Sequence, residues 1–198
     1  MKFLASGTLL AGFAAAGLTA AVGALAAGAD ATLLADAKRV FAPLPAPTGV
    51  NVYQAALGRR LFFEARVSAD GNVSCSHCHL PERQGADGLP KSFGVMGKIN
   101  ARNAPTIFDA ALQFKAHWRG DRETIEEQAE KSPTGAATFG NPDFAAVIAK
   151  LKSIPGYPEL FAKAFPDEED PVTQKNWGKA IGVFERTLPQ PTRFDAYL

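Results

Sequence analysis

Apolar positions recur at helical spacing in several separated windows of the chain. Val52, Ala55, Ala56 and the run Arg59-Arg60-Leu61-Phe62-Phe63 place apolar side chains on one side of a helix. Asp121 to Lys131 has helical composition, with acidic residues early and Lys131 late, as the helix macrodipole favours. Asn141-Pro142 reads as N-cap and first residue of a helix running to about Ser153. Further helices are expected from about Pro158 to Phe165 and from about Pro171-Val172-Thr173 to Leu188, with a short one from Ala31 to Val40. The turn Ala69-Asp70-Gly71-Asn72 and the glycine-rich stretch from Pro81 to Asn103 read as irregular. No window shows a convincing two-residue alternation, so the expected architecture is all-α with long loops. Loops of that length are unusual unless something apolar covers them.

The ends of the chain differ from the middle. Lys2 precedes an uncharged run from Phe3 to Ala29, rich in Ala, Gly and Leu, with small-residue cleavage sites at Ala24-Leu25-Ala26 and Ala27-Gly28-Ala29. Residues 1–29 therefore read as a secretory signal peptide, or as an N-terminal anchor if uncleaved. Either places the rest of the chain outside the cytoplasm, in the periplasm. Residues 30–50 form an arm whose alternating prolines, Pro43, Pro45 and Pro47, favour an extended path. Residues 51–198 are then one folded domain.

Composition adds exclusions. The net charge is +1, with 46% hydrophobic and 21% charged residues, so no nucleic-acid footprint is present. The two cysteines, Cys75 and Cys78, are too close in sequence to staple distant segments. They belong to Cys75-Ser76-His77-Cys78-His79. Two thiols separated by two residues on a tight turn reach the two vinyl groups on one porphyrin edge. The following imidazole then points at the iron, which is the signature of a covalently bound haem c. A zinc site from Cys75, Cys78, His79 and His117 lacks a second short-spaced ligand pair. A thioredoxin-like redox pair lacks a surrounding βαβ pattern. His77 is expected to face away from the iron.

Around that motif the chain resembles the N-terminal half of bacterial dihaem cytochrome c peroxidases. The resemblance rests on Leu57-Gly58-Arg59-Arg60-Leu61-Phe62-Phe63-Glu64-Ala65-Arg66-Val67-Ser68, Asp87-Gly88-Leu89-Pro90-Lys91-Ser92, Arg102-Asn103-Ala104-Pro105-Thr106, Trp118-Arg119-Gly120-Asp121-Arg122 and Glu127-Gln128-Ala129. Ser153-Ile154-Pro155-Gly156-Tyr157, Ala164-Phe165-Pro166 and Phe194-Asp195-Ala196-Tyr197-Leu198 extend it over residues 51–198. It implies a peroxidatic haem domain that is followed, in the family, by a second domain with an electron-transfer haem. It also implies peroxide as substrate and a partner cytochrome as electron donor.

The departures from the family pattern concern the face opposite His79. The family histidine that ligates the resting iron stands seven residues before the arginine matched by Arg102, and that position is Val95. Its neighbour Met96 is a candidate sixth ligand, beside an open iron or ligation by His117. The family glutamine matches Gln128, and the family glutamate falls on Thr138. Loss of a positioned acid/base costs about 10²–10⁴ in rate, or about 3–5 kcal/mol of barrier. His117 is the candidate replacement, because imidazole exchanges protons near neutrality; the alternative is a hydrogen bond to a haem propionate or carbonyl. Trp118 matches a residue between the family's two haems, Asn103 matches one calcium ligand whose companions lie in the second domain, and Arg59, Arg66, Arg102 and Arg122 are candidate propionate partners. Two functions follow: a peroxidase, with His117, Gln128 and Trp118 as its working residues, or a non-catalytic one-electron cytochrome within a larger redox assembly.

Overall fold

The computed structural model describes residues 30–189 and 191–198. Among these, seven α-helices, several 3-10 turns and no strand occur, with two isolated bridges at Phe93–Ile99 and Ala116–Arg122. The leader read at residues 1–29 lies outside the described residues. No helix among them is long and apolar enough to cross a membrane.

Contacts divide the chain into two units. In the first, residues 30–40 form helix α1 and residues 41–45 run extended, grouped with 191–198. There α7 (Arg193–Tyr197) is closed by a capping box between Thr192 and Asp195. Asp195 also accepts the Leu44 amide at 2.7 Å, and Phe194 meets Phe41 edge-on at 5.4 Å. The arm thus has specific partners in the C-terminal segment.

The second unit, Ala46–Pro189, carries the motif. Its helices are α2 (Val52–Phe62), α3 (Ile125–Lys131), α4 (Phe144–Ser153), α5 (Tyr157–Ala164) and α6 (Gln174–Glu185). Helix α2 starts on Asn51, whose side chain accepts the amides of Tyr53 and Gln54. Helix α3 starts only at Ile125, because residues 116–122 are folded back by the Ala116–Arg122 bridge and Thr124 is the cap. Helix α4 is capped by Asp143, not by Asn141. The Asn141 amide is buried and donates instead to the carbonyls of Val67 and Pro133, which removes it from capping.

Helix α6 is the centre of this unit. It buries Trp177, Ala180 and Ile181 completely or nearly so, against Leu57, Leu61, Val147, Leu151 and Phe161. Each fully buried large apolar side chain is worth about 1.5–3 kcal/mol. Two flanks of α6 are packed tightly enough to require small residues. A Cβ on Gly58 of α2 would stand 1.9 Å from the Ala180 carbonyl oxygen, and one on Gly182 would stand 2.6 Å from the Glu126 carboxylate of α3. Tyr157 and Trp177 are core residues, as their patterns indicate.

Candidate haem-binding site

The motif sits on a 3-10 turn, Cys75–His77. The amides of Cys78 and His79 both return to the Cys75 carbonyl, at 3.2 and 3.0 Å. This turn gathers two thiols and one imidazole within five residues. Upstream, the buried Ser68 hydroxyl accepts the amides of Asn72 and Val73, which fixes how the chain enters the turn. Cys75 packs against both apolar clusters of the unit, the larger one around α6 and a smaller one of Phe62, Ile107 and Phe184.

Both thiols are free and both are pushed up from the ordinary cysteine range. Burial is the main cause in each case, followed by the charge of Glu185 at Cys75 and of Asp87 at Cys78. Thiols held protonated are poor metal ligands and poor redox nucleophiles. Among the described residues, no group of three or more His, Cys, Asp or Glu converges to hold a metal ion.

The His79 ring nitrogen Nδ1 donates to the carbonyls of Gly85 and Pro105, at 3.0 and 3.1 Å. Two carbonyl acceptors require a proton on Nδ1, so Nε2 keeps its lone pair for an iron. Burial pushes the imidazole toward its neutral form, the form that ligates. Gly85 is at φ +75, and a Cβ there would meet the Ile107 side chain at 2.8 Å. The loop that orients His79 therefore needs glycine at this point.

The surroundings fit a porphyrin. The loops after the motif expose Leu89, Phe93, Ile99 and Leu112, and Phe114 is 94% exposed. Apolar exposure of this density marks a binding surface. Ser92 Oγ, Arg122 Nε and Gln128 Oε1 are buried without a protein partner. Thioether bonds from Cys75 and Cys78 and ligation by His79 would hold the group.

The remaining sequence candidates are dispersed around this turn. Val95 is buried, and its amide donates to the Thr138 carbonyl at 2.8 Å. Met96, at φ +53, is 71% exposed, and its amide is held by Asp70 at 2.8 Å. Thr138 spends its hydroxyl on the carbonyls of Ser132 and Gly135. The Gln128 side chain donates to Ser132 Oγ at 3.1 Å. His77 and Arg102 are exposed. Arg66 is committed to Glu64 through two hydrogen bonds, whereas Arg122 keeps a buried, unpartnered Nε.

His117 and Trp118 stand at the tip of the 116–122 loop, both on the exposed side. His117 Nδ1 meets Asp121 Oδ1 at 2.6 Å, and Arg119 and Arg122 pair with the same carboxylate. The His117 hydrogen bond, then the two arginines, hold Asp121 down at about 2. Trp118 Nε1 donates to the Asn103 carbonyl at 2.8 Å. Asn103 lies two residues before Pro105, whose carbonyl holds His79. A short route of bonds and hydrogen bonds thus joins Trp118 to the axial imidazole. Sequence reasoning passed over Asp121 as a partner of His117, although the i, i+4 spacing was a signal.

The sequence pattern that defines di-haem cytochrome c peroxidases matches residues 53–198. The chain belongs to that family. Cytochrome c peroxidase Ccp of Escherichia coli is 32% identical over 157 residues, which cover 79% of this chain and 33% of that protein. Methylamine utilization protein MauG of Methylophilus methylotrophus is 35% identical, over 74% of this chain and 43% of that protein. Among solved structures, a MauG-like protein associated with microbial copper homeostasis aligns with a TM-score of 0.68 at 31% identity, over 80% of this chain and 47% of that one. The chain thus spans between a third and half of the length of these relatives. A haem c, an all-α haem peroxidase fold and an oxidoreductase family are established by this membership.

Proposed function

We infer that this chain is an exported, periplasmic c-type cytochrome with one haem c, which reduces hydrogen peroxide to water with electrons from a partner cytochrome or a second haem-bearing chain. The observation that carries this reading is the fixed proximal imidazole in a chain of the di-haem cytochrome c peroxidase family. His79 is locked by two carbonyls with Nε2 free, while Met96 is 71% exposed and its amide is tied to Asp70. Met96 shares its loop with the exposed Phe93 and Ile99, and the open-iron reading over a capped one rests on the peroxidase family membership. When bound through Cys75, Cys78 and His79, the haem would supply a one-electron redox centre.

The chain's own residues would supply the rest. Gln128 Oε1, buried without a partner, is suited to position a hydroxyl donor. His117, backed by Asp121 at 2.6 Å, is suited to accept a proton on Nε2 and return it. Trp118, tied to Asn103, offers an entry point for electrons along the route to His79. The periplasmic location is supported by the Lys2 and Phe3–Ala29 leader pattern. A calcium ion at Asn103 would need ligands from elsewhere, and that carbonyl is already engaged by Trp118.

A second reading, a one-electron carrier, is favoured by Thr138. Its hydroxyl is consumed by two carbonyls and offers no proton exchange. One experiment separates the two. The optical spectrum of the oxidised holoprotein is recorded, peroxide is added, and oxidation of a reduced cytochrome is followed. A high-spin haem that consumes peroxide supports the peroxidase. A low-spin haem that ignores peroxide establishes the carrier.

A further inference from the structure

Two stretches of chain meet at His79. The first is the loop that leaves it, residues 80–85. It is closed on itself, with the Gly85 amide donating to the Leu80 carbonyl at 2.8 Å and the Gln84 amide to the Pro81 carbonyl at 3.1 Å. The second, residues 103–107, arrives from far along the chain and brings the Pro105 carbonyl to Nδ1 at 3.1 Å. One side chain joins them. Thr106 Oγ1 donates to the Gln84 carbonyl at 2.5 Å and accepts the Phe108 amide at 3.0 Å. Gln84 directly precedes Gly85, and Thr106 directly follows Pro105. The two residues whose carbonyls hold His79 thus each adjoin one end of this bond. Among the described residues, it is the only direct hydrogen bond between residues 80–88 and 104–109.

We propose that Thr106 is a positioning residue for the axial ligand: its hydroxyl pins residues 103–107 to the loop that follows His79, keeps the Pro105 carbonyl on the Nδ1 proton, and through that bond sets the reduction potential of the haem. The proposal rests on the haem reading of Cys75, Cys78 and His79. A carbonyl that accepts from Nδ1 draws the proton outward and makes Nε2 a stronger electron donor. A stronger donor stabilises ferric iron over ferrous iron, so each acceptor on Nδ1 lowers the potential. Hydrogen bonding to an axial ligand is one of the levers by which a protein tunes a haem.

The two acceptors differ in what holds them. The Gly85 carbonyl belongs to the closed loop beside His79 and does not depend on Thr106. Pro105 has no amide proton with which to secure its own place, so its neighbours anchor it. Ile107 is buried with Phe62 and Phe184, and the Asn103 carbonyl takes the Trp118 indole. Those contacts tie the segment to other parts of the unit, whereas the Thr106 bond fixes its register against the loop of His79. The direction of that bond is set, because a hydroxyl has one hydrogen and the Phe108 amide already occupies an acceptor site. Gln84 stands at φ +58, a conformation that a residue with a side chain holds only where its surroundings enforce it. The bond from Thr106 to its carbonyl is such a restraint.

The test compares holoproteins. Thr106→Val keeps the shape of the side chain and removes its hydroxyl. Its midpoint potential, from a redox titration followed by visible absorption, is expected to rise, with the equilibrium constant for one-electron reduction increasing about tenfold, or ~59 mV. The His79 Nδ1 proton, followed by NMR in the reduced protein, is expected to exchange with water faster than in the native chain. Thr106→Ser keeps the hydroxyl and is expected to return both readouts to native. A role confined to packing would lower the melting temperature and move neither. Native values of both in Thr106→Val, or a Thr106→Ser protein that behaves like Thr106→Val, overturn the proposal. Thr106 is exposed, so its replacement leaves both apolar clusters intact. If Thr106→Val nevertheless does not fold, Thr106→Ala takes its place with the same outcomes. Failure of the haem reading is distinguishable, because mass spectrometry of the native protein would then find no thioether-bound haem, and both inferences fall together.

Discussion

The Val95 amide donates to the Thr138 carbonyl at 2.8 Å, so the two positions at which this chain departs from the family pattern are neighbours. The contact is tight on every side. A Cβ on Gly94 would stand 1.9 Å from the Ala137 carbonyl oxygen, and one on Gly140 would stand 2.8 Å from the Val95 side chain. Where the family resemblance implies a ligating histidine and an acid/base glutamate, this chain has a buried methyl pair and a hydroxyl consumed by backbone. Both positions fall in one patch.

Thr138→Glu is expected to raise peroxide-dependent oxidation of a reduced cytochrome by about 10²-fold, the lower range for a positioned acid/base. It gives up two hydroxyl hydrogen bonds, at about 1 kcal/mol each. Stopped-flow turnover and a thermal melt measure the two effects. An unchanged rate in a folded variant means that position 138 does not face the reacting side.

Gly85→Ala tests the orientation of His79. The new Cβ meets Ile107 at 2.8 Å on a backbone at φ +75, so the loop must shift and carry the Gly85 carbonyl with it. Stability should fall by about 1–3 kcal/mol. The haem should remain attached with altered axial ligation, visible as a changed spin-state spectrum. A native spectrum would show that Pro105 alone holds the imidazole.

Glu64 predicts an acid limit to stability. It is buried, accepts two bonds from the Arg66 guanidinium and one from Tyr157 Oη at 2.9 Å. The Arg66 hydrogen bonds, opposed by burial and aided by Tyr157, hold its carboxyl below the usual range. A folded-state value below the unfolded one gives stability that is present above the unfolded pKa. That stability is lost as pH falls through the folded value. Denaturant midpoints should therefore drop below about pH 4.5, and Glu64→Gln should remove part of that dependence at a cost of about 1–3 kcal/mol.

Gly58→Ala should destabilise, although alanine is the better helix former by about 1 kcal/mol. The added methyl would lie 1.9 Å from the Ala180 carbonyl, which is backbone of the central helix and cannot yield cheaply. A net loss of about 1–3 kcal/mol lowers Tm by roughly 2–10 °C for a domain of this size. A Tm at or above that of the native protein would mean that α2 and α6 separate without cost.

Much of the fold was legible from local pattern. The helices at 30–40, 52–62, 144–153, 157–164 and 174–185 follow the apolar spacing. Where boundaries moved, a tertiary partner took the residue. Asn141 lost its cap role because Val67 and Pro133 engage its side chain. Residues 121–124 left the predicted helix because Arg122 pairs with Ala116.

By itself, the sequence determined the Cys75–His79 turn as the candidate haem-attachment site and the all-α class, because each depends on residues within one or two turns of one another. Only the tertiary structure decided what surrounds them. The carbonyls that hold His79 come from 6 and 26 residues away. Val95 meets Thr138 across 43 residues of the chain. Such contacts depend on how helices pack about Gly58, Gly182 and Trp177, and close packing is a property of the assembled core that no short window of sequence contains.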